Sequence, residues 1–122
     1  MERQRKKLLV VDDDRLIADT TALIFTQAGY EARAVYSAED ALELMPGWQP
    51  NLVILDVLLP GMDGITFAQM IATKWPKCRV VLFSSRADLA DRLPFVPDRL
   101  SVLAKPVHPA ELLSIVSASL GA

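Results

Sequence analysis

Four short apolar runs punctuate the chain, each closed by a polar residue. Leu8–Val11 ends at Asp12, Leu52–Leu55 at Asp56, Val80–Phe83 at Ser84, and the weaker Ser101–Ala104 at Lys105. Runs of this length, rich in Val, Ile and Leu and without alternation, predict strands buried on both faces. A fifth segment, Glu31–Tyr36, is less apolar and alternates, which predicts a strand at a sheet edge.

Helical patterns separate these runs. Arg15–Ala28 carries Leu16, Ile17, Thr20, Leu23, Ile24 and Gln27 at helical spacing, with Asp14 placed to cap its start and Gly29 to stop it. Ser37 opens a second helix, with Asp40 at its third position, and Pro46-Gly47 is expected to close it. Gly64–Lys74 carries Ile65, Phe67, Ala68, Met70 and Ile71, entered by the turn residues Asp63-Gly64. Pro109–Leu120 reads as the last helix, with Pro109 in its first turn and His108 as its cap. Between the last two strands, Arg86–Leu93 has room for two helical turns before Pro94 and Pro97 forbid continuation, so a short or broken helix is expected there. Strand then helix, repeated, predicts an α/β domain with a parallel sheet covered on both faces.

A parallel sheet opens the C-terminal ends of all its strands on one edge, where ligands bind. Asp12, Asp13, Asp56, Ser84 and Lys105 stand just past those ends. One strand-end Asp is commonly a helix cap, but four strands ending in polar groups is a pattern of another kind. Clustered carboxylates repel: two charges about 4 Å apart cost roughly 4 kcal/mol at an effective dielectric near 20. A hard cation relieves that cost, and an all-oxygen ligand set suits Mg²⁺. One His and one Cys leave zinc unsupported. Neither a dinucleotide nor a P-loop glycine pattern follows the first strand.

Composition narrows the reading further. At 122 residues, 52% hydrophobic and 23% charged, the chain suits one globular domain, expected over 1–122 with a basic polar tail at 1–6 and a core at 7–120. Thirteen Lys and Arg against fifteen Asp and Glu give a net charge of −2, which provides no footprint for gripping nucleic acid or an anionic membrane. The longest uncharged stretch, Leu44–Leu55, has 12 residues and two prolines, too short for a membrane span. With Cys78 alone there is no internal disulfide, and a cytoplasmic setting is expected. Cys78 reads as a packed thiol, and Trp48 and Trp75 as residues packed at helix ends.

Leu8-Leu9-Val10-Val11-Asp12-Asp13-Asp14, then Asp56-Val57-Leu58-Leu59-Pro60-Gly61-Met62-Asp63-Gly64, and finally Lys105-Pro106 resemble the receiver domain of two-component response regulators. The resemblance runs from Lys7 to Leu120. It implies a flavodoxin-like, doubly wound (βα)5 fold with strand order 2-1-3-4-5. In that order Asp12 and Asp13 lie one strand from Asp56, about 4.8 Å, and Lys105 starts roughly 10 Å away. It also implies a phosphoacceptor signalling domain, not an enzyme in its own right, that assists its own phosphorylation and dephosphorylation. Asp56 takes the phosphoryl group from a histidine kinase or phosphotransfer protein. Mg²⁺, or Mn²⁺ in its place, is held by Asp13, Asp56 and the Leu58 carbonyl, with Asp12 acting through water. Lys105 and Ser84 bind phosphoryl oxygens, Ser85 leaves them space, and Ser84 is the switch hydroxyl. Leu58 and Arg86 tune hydrolysis and imply slow loss of the phosphoryl group. The signal passes to a downstream protein or output domain, and kinase choice rests on the surface of Arg15–Ala28.

Two departures bear on output. Val102 stands where the family carries an aromatic switch residue, and the fourth helical segment is interrupted by proline. Both point to signalling through another surface or through local ordering of Arg86–Arg99. Two rival readings remain at this level. A receiver-like interaction module would work without phosphorylation. A haloacid-dehalogenase-type phosphatase would use Asp12-Asp13-Asp14 as Asp-x-Asp, but after Lys105 the chain has Glu111 as its sole acid.

Overall fold

The β-strands β1 (Lys7–Val11), β2 (Glu31–Val35), β3 (Leu52–Asp56), β4 (Arg79–Ser84) and β5 (Leu100–Ala104) form one parallel sheet in the order β2-β1-β3-β4-β5. These positions come from a computed structural model that describes residues 5–57, 59, 61–84, 100–104 and 108–120, with the backbone alone at 84 and 100–104. The expected broken helix at 86–99 lies outside the described residues. The helices are α1 (Arg15–Gln27), α2 (Ala38–Trp48), α3 (Gly64–Lys74) and α4 (Pro109–Ser119).

The unbroken apolar runs follow from layers on both sides of the sheet. Alternate residues point to opposite faces of a strand. Leu9, Val11, Val53, Leu55, Val80 and Leu82 meet Met45 and Trp48 of α2 and Phe67 and Ile71 of α3. Leu8, Val10, Leu52, Ile54, Val81 and Phe83 meet Ala18, Ala22 and Phe25 of α1 and Leu112 and Val116 of α4. Strand β2 lies at the edge, as its alternation predicts, and none of its residues is fully buried.

Short-range signals place the helix ends. Asp14, Ser37 and Asp63 accept hydrogen bonds from the backbone N–H groups of Ile17, Asp40 and Ile65, at 3.2, 3.1 and 2.8 Å. His108 Nδ1 accepts one from Ala110 N at 3.1 Å. Gly29, at φ 103°, stops α1 in a conformation that disfavours a β-carbon.

One expectation requires correction. Helix α2 does not close at Pro46-Gly47 but runs through Pro46 to Trp48. The proline costs a helical hydrogen bond, and three later contacts hold the final turn. Trp48 is buried, its Nε1 donates to Glu31 Oε2 at 2.9 Å, and Lys7 Nζ donates to the Trp48 carbonyl at 3.2 Å. Gln49, left-handed at φ 53°, then ends the helix. Lys7 therefore belongs to β1 and ties it to α2.

Helix α1 divides its apolar residues between core and solvent. Its buried face is Ala18, Ala22 and Phe25, whereas Leu16, Ile17 and Leu23 are 77%, 42% and 55% exposed. Small alanines let the helix approach the sheet closely, with Phe25 as the anchor. The larger aliphatic residues are left on the outside.

Candidate functional site

Strand pairing brings the acids level. Val11 stands opposite Leu55 in the β1–β3 register, so the next residues, Asp12 and Asp56, reach the same edge together. One carboxylate oxygen from each of Asp12, Asp13 and Asp56 lies within 4.8 Å of the others. Asp12 is buried, Asp56 half-buried and Asp13 exposed, so the cluster opens to solvent on one side. At that separation each pair of charges repels by about 3 kcal/mol at an effective dielectric near 20. The donors are all oxygens, with no imidazole or thiolate among them, which fits a hard divalent cation.

Backbone contacts fix the chain that carries Asp12 and Asp56. Asp12 Oδ1 accepts from Asp14 N at 3.0 Å, which curls the chain between β1 and α1. Asp12 N donates to the Val35 carbonyl at 3.2 Å, tying the turn to β2. Beyond Asp56, Val57 N donates to the Phe83 carbonyl and Gly64 N to the Val57 carbonyl, both at 3.0 Å. Helix α3 is thereby folded back onto the end of β3. Only glycine permits that approach: a β-carbon on Gly64 would lie 2.6 Å from the Asp56 carbonyl oxygen.

The other expected site residues are placed less fully. Ser84 ends β4 and stands opposite Ala104 in register, one residue past the Asp56–Phe83 pair. Its backbone thus lies on the acid-bearing edge, and its side chain is outside the described residues. Lys105, Leu58, Ser85 and Arg86 lie outside them as well. Val102 pairs with Leu82 on β5, its side chain likewise undescribed.

A group that the sequence pattern did not single out stands at the same sheet edge as the acids. The Arg15 guanidinium lies 4.3 Å from the centroid of the Tyr36 ring, and Tyr36 Oη donates to Asp19 Oδ1 at 2.6 Å. That hydrogen bond to a carboxylate, with burial next in size, holds the phenol above its ordinary pKa, while Arg15 pulls the other way. The three residues are far apart or unremarkable in spacing, and only the β1–β2 pairing unites them.

A model of the response regulator receiver domain family matches residues 8–117. The chain belongs to that family. Among solved structures it is similar to a CheY-like receiver domain protein from Methanospirillum hungatei (26% identity, 97% of this chain and 95% of the other, TM-score 0.83). A Chloroflexus aurantiacus protein described as a response regulator is 32% identical, with 98% and 100% covered and a TM-score of 0.85. Response regulator DrrB of Thermotoga maritima is 28% identical over 97% of this chain, with a TM-score of 0.85. This receiver spans 54% of that protein's length. The match is to receiver domains, not to the haloacid-dehalogenase-type phosphatases weighed as a rival. Among the described residues of this receiver, no helix is long and apolar enough to cross a membrane.

Proposed function

We propose that this receiver accepts a phosphoryl group on Asp56 from a phosphohistidine, with a divalent cation at Asp12, Asp13 and Asp56. The observation that carries this reading is the convergence of those three carboxylates at one sheet edge, an all-oxygen donor set that suits a hard divalent cation. Asp13 and Asp56, with the backbone carbonyl of Leu58, would hold it directly, and Asp12 would act through water. Mg²⁺, replaceable by Mn²⁺, supplies neutralisation of the charge on the phosphoryl oxygens when bound.

The chain's own residues do the rest. A carboxylate oxygen of Asp56 attacks phosphorus in line with the leaving nitrogen. An O–P bond forms as the P–N bond breaks. The leaving nitrogen keeps the electron pair of the broken bond, and the ring, already protonated on its other nitrogen, departs as neutral imidazole, leaving an acyl phosphate on Asp56. Lys105 pairs with one phosphoryl oxygen and Ser84 donates a hydrogen bond to another, with Ser85 small enough to leave room. Leu58 cannot orient an attacking water and Arg86 shields the group, so hydrolysis is slow. The domain acts as a phosphoacceptor that switches a downstream protein or output domain. We take it to work as one unit over 1–122, in the cytoplasm with its donor kinase. The exposed stripe of Leu16, Ile17 and Leu23 on α1 offers a helical phosphodonor an apolar surface beside the site.

The cation arm has a direct test. Incubation with a small acyl phosphate and Mg²⁺ should transfer one phosphoryl group, and chelation by EDTA or Asp13→Asn should abolish the transfer. Equal incorporation without a divalent cation would refute it. Val102, in place of an aromatic switch residue, supports a second reading, an interaction module indifferent to phosphorylation. A partner that binds phosphorylated and unphosphorylated protein equally would establish that one.

A further inference from the structure

Arginine beside a three-carboxylate site is a competitor for it. Arg15 follows Asp12, Asp13 and Asp14 directly, and Asp19 lies one helical turn further on. A guanidinium on so long a side chain has carboxylates in reach on both sides. In the structure it lies instead over the Tyr36 ring, 4.3 Å from the centroid. Tyr36 sits beside the acids, since Val35 pairs with Val11 and accepts the hydrogen bond of Asp12 N. The phenol is in turn latched at 2.6 Å to Asp19, the acid one helical turn beyond Arg15.

We propose that the Asp19–Tyr36–Arg15 clasp keeps Arg15 out of the carboxylate site and so sets its affinity for a divalent cation. This rests on the cation reading of that site. Stacking on an aromatic face leaves the guanidinium charged but parked, because the ring's quadrupole holds it without neutralising a carboxylate. Tyr36 is a positioning residue here, acting through Arg15 and touching no cation.

The test is calorimetric titration of the folded protein with MgCl₂. Tyr36→Leu removes the ring face and releases Arg15 towards the acids. An exposed ion pair shifts an equilibrium by a factor of about three, so Mg²⁺ should bind about threefold more weakly. Adding Arg15→Gln to Tyr36→Leu should restore the affinity, which a loss of local packing would not allow. Arg15→Lys, a surface change that spares the fold, should also weaken binding, because an ammonium on a flexible stem stacks poorly. Arg15→Gln alone should not. Unchanged affinity in Tyr36→Leu and Arg15→Lys, or a double variant as weak as Tyr36→Leu, would overturn the clasp while leaving the cation site intact. Wild-type protein that binds no Mg²⁺ would overturn the site reading itself, and the clasp with it.

Discussion

Gly64 lies so close to Asp56 that a β-carbon on it would come within 2.6 Å of the Asp56 carbonyl oxygen and 2.7 Å of Val57 Cα. The obstacle is backbone on both counts, so no side-chain rotation relieves it. Gly64→Ala should therefore push α3 away from the end of β3, at a cost of about 2 kcal/mol, the usual scale for overpacking. Denaturant unfolding should show the loss. Cation affinity should fall with it, because Asp56 moves with its backbone. A variant of wild-type stability would show that the strand end and helix start are not held together this closely.

The exposed leucines of α1 separate docking from chemistry. Leu16→Ser with Leu23→Ser should leave stability within about 0.5 kcal/mol, as for other surface changes. Phosphoryl transfer from a protein donor should drop at least about tenfold, since each leucine buried on association contributes about 1–2 kcal/mol. Transfer from a small acyl phosphate should be unaffected. Equal losses with both donors would mean that the pair supports the site and not the partner.

Burial pushes the Cys78 thiol up from 9.0 to about 12. The folded thiol holds its proton to higher pH than the unfolded one. Its contribution to stability is thus fully present below about pH 9 and is lost as pH rises towards 12. At pH 8 a disulfide reagent should label Cys78 only as fast as the protein opens. Rapid labelling of native protein would contradict the buried, protonated state.

Hydrolysis of the phosphorylated form should be slow, and Leu58→Asn should speed it several-fold by giving water a hydrogen-bonding partner beside the phosphorus. The decay of the phosphorylated mass with time reads this directly. An unaltered decay would remove Leu58 from the account of lifetime.

Much of this was legible in the chain because the deciding interactions are local. Caps at Asp14, Ser37 and His108, and the Asp63-Gly64 turn, act within three residues. The unbroken Val, Ile and Leu runs reflect helices on both sheet faces. The acids at Asp12, Asp13 and Asp56 could be grouped once the strands were taken as parallel. What escaped depends on distant partners. Trp48 extends α2 past Pro46 through Glu31 and Lys7, at separations of 17 and 41 residues. On α1, helical spacing fits two stripes, and residue size favours the wrong one. The sheet accepts Ala18 and Ala22, and nothing in Leu16 or Leu23 shows that they face outward. The Arg15–Tyr36 contact needs the β1–β2 register, which spacing along the chain does not encode.

The central claim, that Asp56 takes a phosphoryl group, is tested most directly by intact mass after incubation with Mg²⁺ and a small acyl phosphate. Wild type should gain one phosphoryl group and Asp56→Asn none. Addition to both proteins, or to neither while Mg²⁺ binding is intact, would contradict it.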